Sequence, residues 1–240
     1  MVMAEATNHY FKHLGVSDGL SQVCIPSIYQ DELGAVWLGT TEGLNRYNGK
    51  DVRVFQPSES NNGLTNNEVN ELCGDKNGRM YIRSGNDLIK LDIYTEQFTC
   101  LRQKGVYGLF CKKDTLWVSC ADGIYYYTGQ GTELTFFARV QKGFVGRALY
   151  VDKETVWVVT RKYLVAISRE DPLRQEILLT LDKGNCILGD SSGNIWVGAW
   201  NGLYRVSPDR ETTAYVSREW GNYPIIRSDA CWKMILSIFG

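Results

Sequence analysis

The sequence predicts an all-β fold, a β-propeller of about five four-stranded antiparallel blades, on three observations. A unit of about 40 residues recurs five times along the 240-residue chain. Within each unit the apolar residues fall in short runs with a period close to two, the spacing of strands. No helical pattern of roughly 10 to 15 residues separates those runs, so a parallel βαβ sheet is excluded, and Pro172 stops the one weakly helical stretch at 167–175.

The units follow from their aromatic anchors, Trp37, Tyr81, Trp117, Trp157 and Trp196, which are spaced by 44, 36, 40 and 39 residues. An inner strand, as at 27–30 and 185–188, leads to an Asp-x-x-Gly turn at Asp31, Asp75 and Asp190, with Asp152 at the equivalent place. There the aspartate can accept from the backbone two residues on, and the glycine takes a positive φ. The second strand carries the anchor, at 36–40, 116–119, 156–160 and 195–198. A further turn leads to a third strand, at 44–47, 123–127 and 203–206, and a more polar outer strand, at 51–56 and 134–140, completes the unit. One such small sheet cannot bury both faces, so blades stack and the anchors pack between them. Gly39, Gly198 and Ser119 are small where inner strands crowd.

The repeats are read at 20–60, 61–103, 104–141, 142–182 and 183–216, with 217–240 a partial sixth blade, starting at 222–230, or a closing tail. Five units make either a small ring or part of a larger one, and the set reads as partial or truncated. Residues 10–14 are placed to add an outer strand to the last blade. An open arc would expose apolar edges, so pairing with a second copy or with missing blades is expected.

Composition removes several functions. The formal charge is -1 with the charges scattered, which excludes a nucleic-acid binder. No run approaches the roughly 20 apolar residues of a membrane span, and no basic segment followed by an apolar one marks a signal peptide. The seven cysteines include no CxxC pair, and Cys73, Cys111 and Cys186 are read as free thiols in strand positions. A disulfide between spatial neighbours is the alternative in an oxidising compartment. His9 and His13 are the only histidines, and no metal-binding, nucleotide-binding or nucleophile motif occurs, so neither a metal, a cofactor nor an enzyme is expected.

The run Gln30-Asp31-Glu32-Leu33-Gly34-Ala35-Val36-Trp37-Leu38-Gly39-Thr40-Thr41-Glu42-Gly43-Leu44-Asn45-Arg46-Tyr47 closely resembles the repeat of the two-component regulator propellers. The lead-in Gly19-Leu20-Ser21, echoed at Gly63-Leu64-Thr65, fits the same family, and 190–205 is a second strong match. The resemblance implies the periplasmic sensor region of a Bacteroides-type hybrid histidine kinase, responding to oligosaccharides released from polysaccharides. The family carries two seven-bladed propellers and a kinase, and this chain has too few blades and no kinase histidine box. The expected function is therefore a ligand-sensing propeller fragment, and the alternative is a freestanding scaffold for protein interactions.

A ligand is expected on the face where the turns between second and third strands emerge, at 41–42, 85–86, 121–122, 161–162 and 200–201. Trp200 is a large aromatic where a polar residue would suffice, suited to stacking on a sugar, with Arg161, Lys162 and Asn201 as hydrogen-bonding partners. The competing expectation has Trp200 folded over its neighbour.

Overall fold

The computed structural model describes residues 13–57, 63–141 and 144–215. The segments 10–12 and 216–240, including the expected start of a sixth blade, lie outside the described residues.

Twenty strands form five separate four-stranded antiparallel sheets. The first blade is β1 (Ser27–Gln30), β2 (Val36–Thr40), β3 (Gly43–Tyr47) and β4 (Val52–Phe55), and the second is β5 (Val69–Gly74), β6 (Arg79–Ser84), β7 (Asp87–Asp92) and β8 (Gln97–Arg102). The third comprises β9 (Val106–Lys112), β10 (Thr115–Cys120), β11 (Gly123–Tyr127) and β12 (Thr135–Ala138). The fourth comprises β13 (Gly146–Val151), β14 (Thr155–Thr160), β15 (Tyr163–Ser168) and β16 (Gln175–Thr180). The fifth comprises β17 (Cys186–Gly189), β18 (Ile195–Ala199), β19 (Gly202–Val206) and β20 (Thr212–Tyr215). In each sheet the strands pair in chain order from inside to outside.

The innermost strands stack in sequence, β1 on β5, β5 on β9, β9 on β13 and β13 on β17. Among the described residues no comparable packing joins the fifth blade back to the first, so the blades form an open arc. The core is distributed between blades. Trp37 packs with Leu64, Val69 and Met80, Tyr81 with Val106 and Val118, Trp117 with Leu149 and Val158, and Trp157 with Ile195 and Val197. Each of these four anchors thus fills the interface with the blade that follows it.

The turn aspartates do more than shape turns. Asp31 Oδ1 accepts from the Leu33 and Ala35 amides, and its Oδ2 accepts from the Trp37 indole at 2.7 Å. Asp152 and Asp190 repeat the arrangement, with the Trp157 and Trp196 indoles at 2.6 and 2.9 Å. In the second blade the anchor is Tyr81, which has no indole N–H, and the Arg79 guanidinium donates to Asp75 instead. Lys112 stands where the third blade would carry its aspartate, and the Trp117 ring lies under the Arg169 guanidinium at 5.6 Å.

Close approach of neighbouring blades requires small residues at several places, two of them between the first and second blades. A Cβ on Gly74 would overlap the Tyr29 hydroxyl, and one on Gly39 would sit 2.8 Å from Val69. Cys111 and Cys73 face each other across the second and third blades with sulfurs 3.0 Å apart, both free thiols. Cys186, expected as a free thiol, is instead disulfide-bonded. Apolar alternation along an inner strand reports only that a side chain is enclosed, and a half-cystine meets that condition as well as a thiol does.

Candidate ligand-binding site

The turns between second and third strands and the connections between blades share one rim. The connection into the second blade is held from both sides: the Gly43 amide donates to Asn67 and the Gly85 amide to Glu68. The connection into the third is held likewise, by Val106 to Asn86 and Ala121 to Gly105. In the connection into the fifth, the Leu181 and Gly184 amides donate to the carbonyls of Lys162 and Arg161, and the Trp200 amide donates to Asp182. The ties described for the fourth-blade connection run through side chains: Gln175 accepts from the Gln141 amide and donates to the Arg139 carbonyl, and the Ser119 hydroxyl donates to the Gly146 carbonyl.

At that fourth-blade connection the rim opens into a cavity of about 310 Å³, lined by Tyr107, Phe144, Val145, Arg147, Thr160, Arg161 and Lys162. Tyr107 is the second residue of β9, Arg147 lies in β13, and Arg161 with Lys162 forms the turn between β14 and β15. Thr160 closes that turn: its hydroxyl donates to the Tyr163 carbonyl and accepts from the Lys162 and Tyr163 amides, so it is spent on the fold. The Phe144 ring rests on Tyr163 at 4.9 Å, and the Arg147 guanidinium lies 5.9 Å from the Tyr107 ring centre. The volume is within the range of small-ligand sites.

Of the four residues singled out from sequence, Arg161 and Lys162 line this cavity. Trp200 and Asn201 lie on the same rim one blade further on, joined to them through the connection 181–184. Trp200 is 47% exposed, with the Lys183 ammonium 4.2 Å from its ring centre. The Asn201 side-chain oxygen accepts from the Asp182 amide, which leaves its NH₂ group for other contacts. Sequence reasoning missed Tyr107, Phe144 and Arg147, which reach the cavity from two other elements of the third and fourth blades. Their only signal was an aromatic or basic residue at the start of an inner strand, a position whose neighbours depend on blade stacking.

A second cavity, about 450 Å³, opens on the opposite rim and is lined by both charges, Lys153, Arg169, Arg174 and Arg210 with Glu154, Glu170 and Glu176. Arg210 pairs with Glu176, and Arg169 donates to the carbonyls of Asp152 and Lys153. Among the described residues no group of three metal-ligating side chains occurs and no helix is long and apolar enough to cross a membrane.

Comparison with known proteins places the repeat. Residues 19–42 match the two component regulator propeller family. The match covers the lead-in and the first two strands of the first blade. Over 53 residues the propeller chain is 38% identical to histidine kinase P4 of Formosa agariphila, a stretch that is 22% of this chain and 4% of that protein. Its fold is similar to the extracellular domain of the hybrid two component system BT3049 from B. thetaiotaomicron, with a TM-score of 0.74 and 21% identity, covering 85% of this chain and 32% of that one. It is also similar to virginiamycin B lyase from Staphylococcus aureus, with a TM-score of 0.60 and 15% identity, covering 84% of this chain and 70% of that one. The propeller chain therefore spans about a third of the length of the sensor domain it resembles, and its fold is shared by sensors and enzymes alike.

Proposed function

We propose that this chain is part of the sensor propeller of a two-component system and that it recognises a polysaccharide-derived oligosaccharide on the extracytoplasmic side of the membrane. The observation that carries this reading is the rim cavity, where the Tyr107 and Phe144 rings offer flat apolar surface and Arg147, Arg161 and Lys162 offer hydrogen-bond donors. The extracellular location of the BT3049 domain supports the side of the membrane. Recognition is favoured over glycoside hydrolysis because no carboxylate lines this cavity among the described residues, so a glycosidase would lack its pair of carboxyl groups there.

The test is binding of an oligosaccharide panel to the purified chain by calorimetry, with Trp200→Ala and the Arg161→Ala/Lys162→Ala pair as controls. Trp200→Ala is expected to weaken binding while leaving the melting transition nearly unchanged. A large loss of stability in that variant would assign the indole to packing, and product formation from any panel member would favour an enzyme.

A second reading, a scaffold for protein interactions, draws on the outer face of the first blade, where Ile28 is 59% and Val54 38% exposed. Missing blades or a second copy would cover it. Light scattering on the 240-residue chain separates these outcomes from a closed monomer.

A further inference from the structure

We propose that the sugar held in the rim cavity is acidic, carrying a carboxylate or sulfate that sits between Arg161, Lys162 and Arg147; this rests on the reading of the cavity as an oligosaccharide site. The argument turns on what the lining can and cannot do. Sugar hydroxyls both donate and accept, so a site for a neutral sugar supplies acceptors, usually carboxylates or carboxamides, beside its donors. Among the described residues this lining has none of either. The remaining oxygens are largely occupied by the fold: the Thr160 hydroxyl is spent on its own turn, and the carbonyls of Arg161 and Lys162 accept from Gly184 and Leu181. What is left is Tyr107 and three cations, a set that suits a group accepting only, which is what a carboxylate or sulfate is.

The cations are also not consumed by the protein. Arg46, Arg53, Arg79, Arg83, Arg102 and Arg210 form ion pairs, and the other described arginines, Arg139, Arg147, Arg161, Arg169, Arg174 and Arg205, form none. Arg147, Arg161 and Lys162 form none among the described residues, and the chain's formal charge of -1 shows that this is a local surplus on a nearly neutral molecule. The opposite rim serves as an internal comparison. Its larger cavity also gathers basic residues, but three glutamates line it with them and its Arg210 is paired. The two rings complete the site: a pyranose presents C–H groups on one face, which pack on Tyr107 or Phe144 while the acidic substituent reaches the cations.

The experiment is a binding screen of the whole chain against matched oligosaccharides: uronic-acid oligomers, their carboxyl-reduced neutral counterparts, and sulfated neutral oligomers. It is repeated at low and high salt, and with inorganic sulfate alone as a further probe. Binding confined to the acidic sets, weakened by salt and by about tenfold for each of Arg161→Ala and Lys162→Ala, is the expected result. The uronic-acid and sulfated arms then tell which acidic group is read. Equal or tighter binding of the neutral counterparts would overturn the acidic ligand while leaving the oligosaccharide reading intact. Protection by inorganic sulfate equal to that of the best oligomer, or no binding across the panel, would overturn both. Acidic binding unchanged in the Arg161→Ala/Lys162→Ala pair would move the site away from this cavity; both side chains are exposed, so the variant folds and the comparison is fair.

Discussion

Asp31 uses its two oxygens for two separate tasks, one bonding the turn amides and the other the Trp37 indole of the next strand. Asp31→Ala would leave three donors without their partner in a region where Asp31 is 4% exposed, at a cost of about 3–5 kcal/mol, read as a lower urea midpoint. The same arrangement at Asp190 sets a pH dependence. Partial burial pushes that carboxyl up, but bonds donated by the Trp196 indole, the Asn194 side chain and the Asn194 and Ser192 amides outweigh it and hold it below the usual value. A group with its folded pKa depressed stabilises fully above its unfolded value, about 3.9, and that contribution drains away as pH falls through the lower folded value. Asp190→Asn should therefore flatten the loss of stability below about pH 4, measured as urea midpoint against pH; an unchanged acid limb would remove Asp190 from the account. In the sequence the turn aspartates were legible as turn formers and the tryptophans as packing. Their partnership was not read, although the tryptophan follows its aspartate by five or six residues each time and the one blade with Tyr81 substitutes Arg79.

At the scale of the strand, the register of the inner strands depends on small residues meeting large ones. Gly74 ends β5 against the Tyr29 hydroxyl of β1, and Gly74→Ala is expected to cost about 1–3 kcal/mol through overpacking. The Tyr29 hydroxyl is buried and makes no hydrogen bond among the described residues, so Tyr29→Phe alone should be neutral or stabilising. The double variant should then recover only part of the loss, since two ring carbons of residue 29 still lie 2.3 and 2.9 Å from the new Cβ, and a thermal-melt cycle of the four proteins measures it; strict additivity would show that the two residues do not meet. Second and third strands were legible almost to the residue, because Trp-x-Gly-Thr followed by a glycine turn fixes both ends, as in β2 and β3. The cavity was legible only in half. Arg161 and Lys162 announce themselves as a turn, whereas Tyr107, Phe144 and Arg147 join them only once β9 and β13 lie side by side.

The described blades form an arc whose first blade has an outer face covered only in its middle, where Leu38 and Asn45 are buried and Ser21 bonds to Asn45, and exposed at Ile28 and Val54. Ile28 in β1 and Val54 in β4 lie on the side turned away from the second blade, reached through the pairs Ile28 with Leu38, Leu38 with Asn45 and Asn45 with Val54. The purified chain is expected to associate with rising concentration through this face, and Ile28→Asp with Val54→Lys to return it to monomer in light scattering; a monomer without those changes would mean that the face is already covered. The two rims of the arc are fastened differently. On the cavity rim the blades are tied mainly by amides and carbonyls, as at Gly43 with Asn67 and Gly184 with Arg161. On the other rim the ties are side chains, such as the Lys76 ammonium on the Gln30 carbonyl and Asn77 on Asp114. A backbone tie survives a change of side chain. The turns at 41–42 and 161–162 can therefore be rewritten wholesale, as the loops of an antibody are, and the frame beneath them will hold its spacing while its taste in ligands is replaced.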